Sequence, residues 1–400
     1  MRILQVFNRY LERGGEESSV ERVSDSLSLH HRVFHCYFDS RQMLSTDGAL
    51  DIASAAIQMV WNGTSAKRLN IHAQVAKPDL LLLHNIFPVG TAAVLHEIGK
   101  VNIPAISYIH NFRPYSVNGY LWANDRIVTA GLRKNFIPEI LAGSWQDSRL
   151  KTALYASILT GMHWSRMFRH IDSWIAISEF MREKFIGAGV PADRISTIPH
   201  SWDPMPSPPK PEEGGYYLFL GRLISAKGVR LLFETWQILE HKLGPKTPRL
   251  VIGGDGPLGA EVSQFSAQNK LISYAGHVDG ETKNRLIRRC RAMIAPSLWW
   301  EPLGLVTYEA YDYSKPMLAA ASGGLSETVQ HGITGMLHQP GNAEELAEQI
   351  LLLDPDKSRR LEMGCRGREW LLTNTSRTQW LDKFDRLVNR VLERKKKAKT

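Results

Sequence analysis

Short apolar runs alternate with amphipathic stretches along nearly the whole chain, the pattern left in a sequence by parallel sheets with crossover helices. In the first half, the runs Ile3 to Phe7, Val33 to Phe38, Leu80 to His84, Ala105 to Tyr108, Trp174 to Ile177 and Ile195 to Ile198 predict strands. A proline-rich stretch from Pro199 to Pro211 interrupts the pattern, because proline fixes φ and lacks the N–H that regular structure needs. The pattern then restarts with Tyr216 to Leu220, Arg249 to Ile252, Ile272 to Ala275, Ala292 to Ala295 and Met317 to Ala320. From about Asn342 no strand pattern remains, and Trp380, Phe384, Leu387 and Val391 recur at helical spacing. The chain therefore reads as two doubly wound α/β domains, 1–205 and 206–375, followed by a C-terminal helix, 376–400, expected to pack back on the first.

Length supports that division, since 400 residues exceed what one hydrophobic core usually sustains. A content of 43% hydrophobic and 22% charged residues excludes disorder as the main state. The formal charge of +9 favours anionic partners: nucleic acid, acidic lipid or phosphorylated small molecules. Cys36, Cys290 and Cys365 are far apart and lack metal-ligand spacing, which suits a reducing cytoplasm rather than a disulfide framework. The apolar run at Met1 to Phe7 is too short for a signal-peptide core, and no run reaches the ~20 residues of a membrane span. The expected location is thus cytoplasmic, with any membrane contact peripheral and on the inner face. The basic tail Arg394 to Lys399 reads as a solvated last helix turn, with lipid binding as the alternative.

In doubly wound sheets ligands collect at the carboxyl ends of strands, so polar residues there are the first candidates. Gly14-Gly15 follows the first strand and opens a helix, where backbone N–H groups can approach an anion; a double glycine also serves a plain tight turn. His84-Asn85 and His110-Asn111 end two apolar strands, and Arg113 follows the second. In the second domain Gly221-Arg222 leads to Lys227-Gly228, two cations five positions apart after a strand, suited to offset charge on a diphosphate. Gly253-Gly254-Asp255-Gly256-Pro257 ends the next strand. The sharpest signal is Glu301-Pro302-Leu303-Gly304-Leu305-Val306-Thr307-Tyr308-Glu309. There the first N–H groups of a helix, around Gly304, Leu305 and Val306, make a site for phosphate or sugar oxygens. Glu301 lies before that helix and Glu309 more than a turn inside it, so each would hold a different part of one ligand.

Taken together in this order and spacing, the motifs resemble a family 4 glycosyltransferase of the GT-B fold, the group 1 type. The glycines Gly323, Gly324, Gly332 and Gly335 add its usual ending. The resemblance implies two Rossmann-like domains facing across a cleft and a retaining transfer of sugar from a nucleotide-diphosphate donor. It implies that Glu301 faces the donor sugar, Glu309 holds the ribose, and Arg222 and Lys227 neutralise the diphosphate. His110 would contact the sugar near its reacting carbon, with Gly14 and Gly15 near the phosphates and Gly254, Gly304, Leu305 and Val306 also on the donor. The acceptor, a glycan or lipid-linked hydroxyl of cell-surface polysaccharide or glycolipid synthesis, would meet His84, Asn85, Asn111 and Arg113. No cofactor and no metal is implied, and Asp354-Pro355-Asp356, the one D-x-D in the helical region, reads as a turn.

The stretch Arg126 to His170 departs most from the family pattern, with Arg133, Lys134, Arg149, Lys151, Arg166 and Arg169 among apolar residues. It predicts acceptor-side helices suited to an anionic membrane surface, with a solvated excursion as the alternative. Two other functions compete. A nucleotide-sugar epimerase shares the fold but needs no acceptor. A nucleic-acid-binding protein would explain the charge, yet the sequence carries no recognised binding motif of that class, so no nucleic-acid partner is expected.

Overall fold

A computed structural model describes residues 1–9, 14–43, 59–207 and 214–397. Pro208 to Pro211 of the proline-rich stretch, and Ala398 and Lys399 of the basic tail, lie outside the described residues. The chain divides into two compact units, Met1–Ser201 with Arg377–Thr400, and Trp202–Ser376.

The first unit is built on β1 (Arg2–Arg9), β2 (Arg32–Asp39), β3 (Leu80–Leu83), β4 (Ala105–Ile109), β7 (Ser173–Ala176) and β8 (Ile195–Thr197), in the order β2-β1-β3-β4-β7-β8. Every pairing in this sheet is parallel. Its central strands β3 and β4 are buried at every position, as strands covered on both faces must be, which is why they read as unbroken apolar runs. A small antiparallel pair, β5 (Trp122–Ala123) and β6 (Arg126–Ile127), stands apart from it. The stretch expected to be helical from Arg126 thus begins as a strand, and its helices span Ile137–Ala142 and Arg149–Trp164. Ser148 opens the longer one by accepting from the Lys151 N–H at 3.3 Å. The final helix, Arg377–Lys397, packs on this unit: Trp380 Nε1 donates to Tyr108 Oη at 3.2 Å, and His31 meets Asp385 at 3.0 Å.

The second unit carries β9 (Tyr216–Leu220), β10 (Arg249–Gly253), β11 (Ile272–Gly276), β12 (Met293–Ala295), β13 (Met317–Ala320) and β14 (Gly335–His338), in the order β11-β10-β9-β12-β13-β14. It too is parallel throughout. The helix Val229–Leu243 buries Leu232, Trp236 and Leu239 along one stripe against Tyr217, Leu250 and Ile294. Asp354 and Asp356 lie between the helices Ala343–Leu353 and Lys357–Asn374; Asp356 accepts from the Arg359 N–H at 2.8 Å to open the second, and Asp354 pairs with Arg291. The order of strands reverses between β1 and β3 in one sheet and between β9 and β12 in the other. Each switch point opens a crevice at the carboxyl ends of its own sheet's strands. Among the described residues no helix is long and apolar enough to cross a membrane.

Candidate active site

In the second unit the switch point is bounded by loops that follow β9, β10, β12 and β13, and backbone hydrogen bonds tie these loops together. Gly221 N–H donates to Gly253 O at 3.1 Å and Leu223 N–H to Asp255 O at 2.8 Å. Gly254 adopts φ +142°, and a Cβ there would sit 1.8 Å from Gly221 O, so glycine is what lets the two turns touch. Ala226 O accepts from the N–H groups of Leu298 at 2.9 Å and Trp299 at 3.3 Å, joining the Arg222–Lys227 turn to the Glu301 loop. Gly324 N–H donates to Glu301 O at 2.7 Å, joining that loop to the next.

The best-defined feature within this frame is an ion pair. Lys227 Nζ lies 2.5 Å from Glu301 Oε1 and 5.2 Å from the centroid of the Trp299 ring. Ser297 Oγ at 2.6 Å and Trp299 Nε1 at 2.9 Å donate to the same oxygen. Glu301 is only 6% exposed. Burial works against its charge, but the Lys227 cation and these hydrogen bonds prevail and hold the carboxyl below its usual value. All three donors converge on Oε1, and no described donor reaches Oε2. Three residues later Gly304, at φ +86°, turns the chain into the helix Leu305–Asp312, on whose first turn Leu305 and Val306 are half-buried. Glu309, further along that helix, accepts from Lys283 Nζ at 3.0 Å, so the two glutamates answer different lysines. Arg222 stands exposed in the turn after β9. A wider groove of about 880 Å³ lies along Glu234, His241 and Asn342, and none of the loop residues above lines it.

In the first unit, Gly14 and Gly15 are exposed, and a Cβ at either would meet nothing within 4 Å. Gly14 has an extended φ of −127° and Gly15 begins the helix Gly15–Leu27, so neither the backbone nor the packing requires glycine there. Asn111 Nδ2 donates to Glu16 Oε2 at 3.0 Å, and its Oδ1 accepts from the Arg113 N–H at 3.0 Å. Arg113 Nη1 donates to Val117 O at 2.9 Å, and Asn85 Oδ1 accepts from Phe87 N–H at 3.1 Å. Asn85, Asn111 and Arg113 therefore all brace the loops that carry them. They also border a cavity of about 40 Å³, room for a water or two rather than a sugar.

His84 and His110 belong to a stack of rings. His84 Nδ1 lies 2.8 Å from His110 Nε2, and His110 stacks on Tyr108 at 5.1 Å and on His200 at 5.3 Å. Burial holds the imidazoles neutral: His84 and His200 titrate well below the ordinary value, and His110 is lowered to about 3 by burial and by the Arg22 charge. His84 is 3% exposed, with both ring nitrogens engaged inside the protein.

Lys227, Glu301 and the Gly304 to Val306 helix start are thus brought into one set of loops; the first-unit candidates lie around Gly14 and around His110, bridged by the Asn111–Glu16 hydrogen bond. Sequence reasoning missed Ser297 and Trp299, although both stand within four residues of Glu301 and carry donors. Lys283 and Gln5, the partners of Glu309 and His84, lie far away in sequence and gave no local signal.

Residues 201–370 match the family described as Glycosyl transferases group 1, and residues 57–204 match Glycosyltransferase Family 4. An uncharacterised glycosyltransferase of Methanocaldococcus jannaschii is 31% identical over 162 residues, 40% of this chain and 44% of that protein. A GDP-mannose-dependent alpha-(1-6)-phosphatidylinositol monomannoside mannosyltransferase of Mycobacterium tuberculosis is 26% identical over 226 residues, 51% of this chain and 57% of that protein. The matched region spans between a third and three-fifths of the length of these and similar relatives. Over nearly full length the fold is similar to HepE of Anabaena in complex with UDP, with a TM-score of 0.66 at 17% identity, covering 97% of this chain and 100% of that one. Sucrose-phosphate synthase of Thermosynechococcus elongatus gives a TM-score of 0.66 at 15% identity, covering 98% and 100%. With both sheets parallel, the loops gathered at their carboxyl ends and the two family matches together running from residue 57 to 370, the chain belongs to the group 1 glycosyltransferases, family 4, of the GT-B fold.

Proposed function

We propose that this protein transfers a glycosyl group from a nucleotide-diphosphate sugar to a hydroxyl of a glycan or lipid-linked acceptor, with retention of anomeric configuration and without a metal. The observation that carries the reading is the Lys227–Glu301 pair at the switch point of the second sheet, beside the start of the helix Leu305–Asp312. A departing diphosphate gains negative charge as the sugar–oxygen bond breaks. Lys227, the helix N–H groups and the Arg222 side chain are groups on this domain able to stabilise it. In this reading Glu301 Oε2 accepts from a sugar hydroxyl, and Glu309 from a ribose hydroxyl. HepE was crystallised with UDP and the mycobacterial relative uses GDP-mannose, which makes both bases first candidates for the donor here. Incubation with a panel of nucleotide sugars tests the reading through nucleoside diphosphate release and the anomeric coupling of the product. Release from none of them would overturn it, and an inverted product would overturn retention alone.

The acceptor side reads as membrane-apposed. Leu150 is 82% exposed and Trp164 88%, at the two ends of one helix, with Ile137 and Leu141 exposed on its neighbour. Arg133, Lys134, Arg149, Lys151, Arg166 and Arg169 are all exposed in the same stretch. Apolar side chains among cations suit the headgroup region of an anionic bilayer, and a lipid-linked acceptor of cell-surface glycan synthesis would be met there. Co-sedimentation with anionic vesicles should be lost on Leu150→Ser with Trp164→Ser; equal binding of that variant contradicts the assignment.

A further inference from the structure

The orientation of hydrogen bonds around His84 can be followed atom by atom from a fixed starting point. Gln5, fully buried on β1, lies with Nε2 3.2 Å from Val20 O, and a carbonyl only accepts, so the atom facing it is the amide nitrogen. Tyr37 Oη donates to the other end, Gln5 Oε1, at 3.1 Å, which agrees with that sense. The second amide proton of Gln5 then faces His84 Nε2 at 3.0 Å, so this nitrogen accepts and the His84 proton resides on Nδ1. His84 Nδ1–H in turn donates to His110 Nε2 at 2.8 Å. A neutral His110 whose Nε2 accepts must carry its proton on Nδ1, and that nitrogen is buried with no hydrogen-bond partner among the described residues.

We infer that Gln5 and His84 are positioning residues that lock His110 in its Nδ1–H tautomer, so that His110 meets its ligand as a hydrogen-bond donor and not as a base. The inference rests on the role at the donor sugar that the family resemblance implies for His110, and refines it: the group recognised is an oxygen lone pair, and His110 has none of its own to take up a proton while His84 occupies Nε2. A base, if the reaction uses one, lies elsewhere. The unanswered buried N–H costs free energy, and a ligand oxygen admitted by a shift of the side chains that cover it relieves that cost.

Ring-15N histidine labelling decides the matter in the free protein, because protonated and lone-pair nitrogens have well-separated shifts; the His110 signals are assigned by their loss in His110→Gln. Between pH 5 and 8 both His84 and His110 should show Nδ1–H with Nε2 bare, and Nε2–H on His110 overturns the inference. Gln5→Glu presents acceptors only, which reverses the chain, moves the His110 proton to Nε2 and lowers kcat on the order of a hundredfold. His84→Asn keeps an N–H donor near the Nδ1 position and should preserve the His110 tautomer; a flipped His110 in that variant also counts against the relay. The wild-type spectrum is decisive even where a variant does not fold. The expected spectrum in a protein that turns over no nucleotide sugar would refute the proposed function and leave the relay standing, whereas turnover with Nε2–H on His110 would do the reverse.

Discussion

A buried carboxylate whose counterion is a half-buried lysine makes Lys227 a structural residue as well as a functional candidate. Removing the amine by Lys227→Met leaves Glu301 charged and unpaired, which should cost roughly 3 kcal/mol of stability in addition to a loss of turnover on the order of a hundredfold. Adding Glu301→Gln removes the stranded charge, so the double variant should recover most of the melting temperature and none of the activity. A double variant that regains transfer would show that the pair serves the fold alone. Gly15 separates the two effects from the other side. With open space where a Cβ would stand and a helical backbone, Gly15→Ala should leave stability unchanged or raise it by up to about 1 kcal/mol, while slowing turnover if the loop approaches phosphates. Unaltered turnover would remove this glycine from the site. At this scale the sequence was informative about chemical type and silent about partners. Glu301 and Lys227 announced themselves by their loops, whereas Lys283 and Gln5 became relevant only because the fold carries distant chain segments to Glu309 and His84.

Among elements, the loops behind the second sheet form a chain of dependencies centred on Gly228. It sits at φ +71°, and a Cβ would fall 1.9 Å from Pro296 O. Gly228→Ala should therefore push apart the Lys227 turn and the Glu301 loop, lowering both melting temperature and donor affinity; a variant with native affinity would contradict this coupling. The strands were legible in sequence where apolar runs are unbroken, as at Leu80–Leu83, because burial on both faces demands them. β14 escaped notice since Gly335–His338 is short and opens with a glycine required by the neighbouring strand: a Cβ there would lie 2.0 Å from Met317 O. β6 was hidden among residues that read as helical because a two-residue strand has no period to detect.

The ring stack of the first unit gives an element-level pH dependence. His84, His110 and His200 are neutral in the folded state with lowered pKa values, while the unfolded chain takes up protons near the ordinary 6.5. The unfolded state thus binds more protons below that value, and stability falls as pH drops from about 6.5 towards the folded value of about 3 for His110. Denaturant titrations at pH 7, 6 and 5 should show declining stability, with a shallower slope in His200→Phe. An unchanged slope in that variant would mean that His200 titrates alike in the folded and unfolded states, against the lowering by burial.

At the scale of the whole chain, the polypeptide starts the second unit with a clasp and ends by returning to the first. Trp202 Nε1 donates to Asp312 Oδ2 at 3.0 Å and Met205 N–H to Asp312 Oδ1 at 2.9 Å, while Arg368 pairs with the same buried carboxylate at 2.8 Å. The last helix then lays Trp380 against Tyr108, the residue next to the His110 strand end. The proline run overlaps the first of these junctions, and the apolar stripe of the last helix carried the expectation that it packs back on the first unit. Both sheets carry their candidate chemistry at strand carboxyl ends, as parallel topology requires. The central claim is that the second unit grips a diphosphate through Lys227 and the helix that follows Glu301. Calorimetric titration with UDP, GDP and the other nucleoside diphosphates tests it most directly. One of them should bind the wild type and bind the Lys227→Met, Glu301→Gln double variant at least tenfold more weakly, whereas failure of every nucleoside diphosphate to bind, or equal affinity for the two proteins, would contradict it.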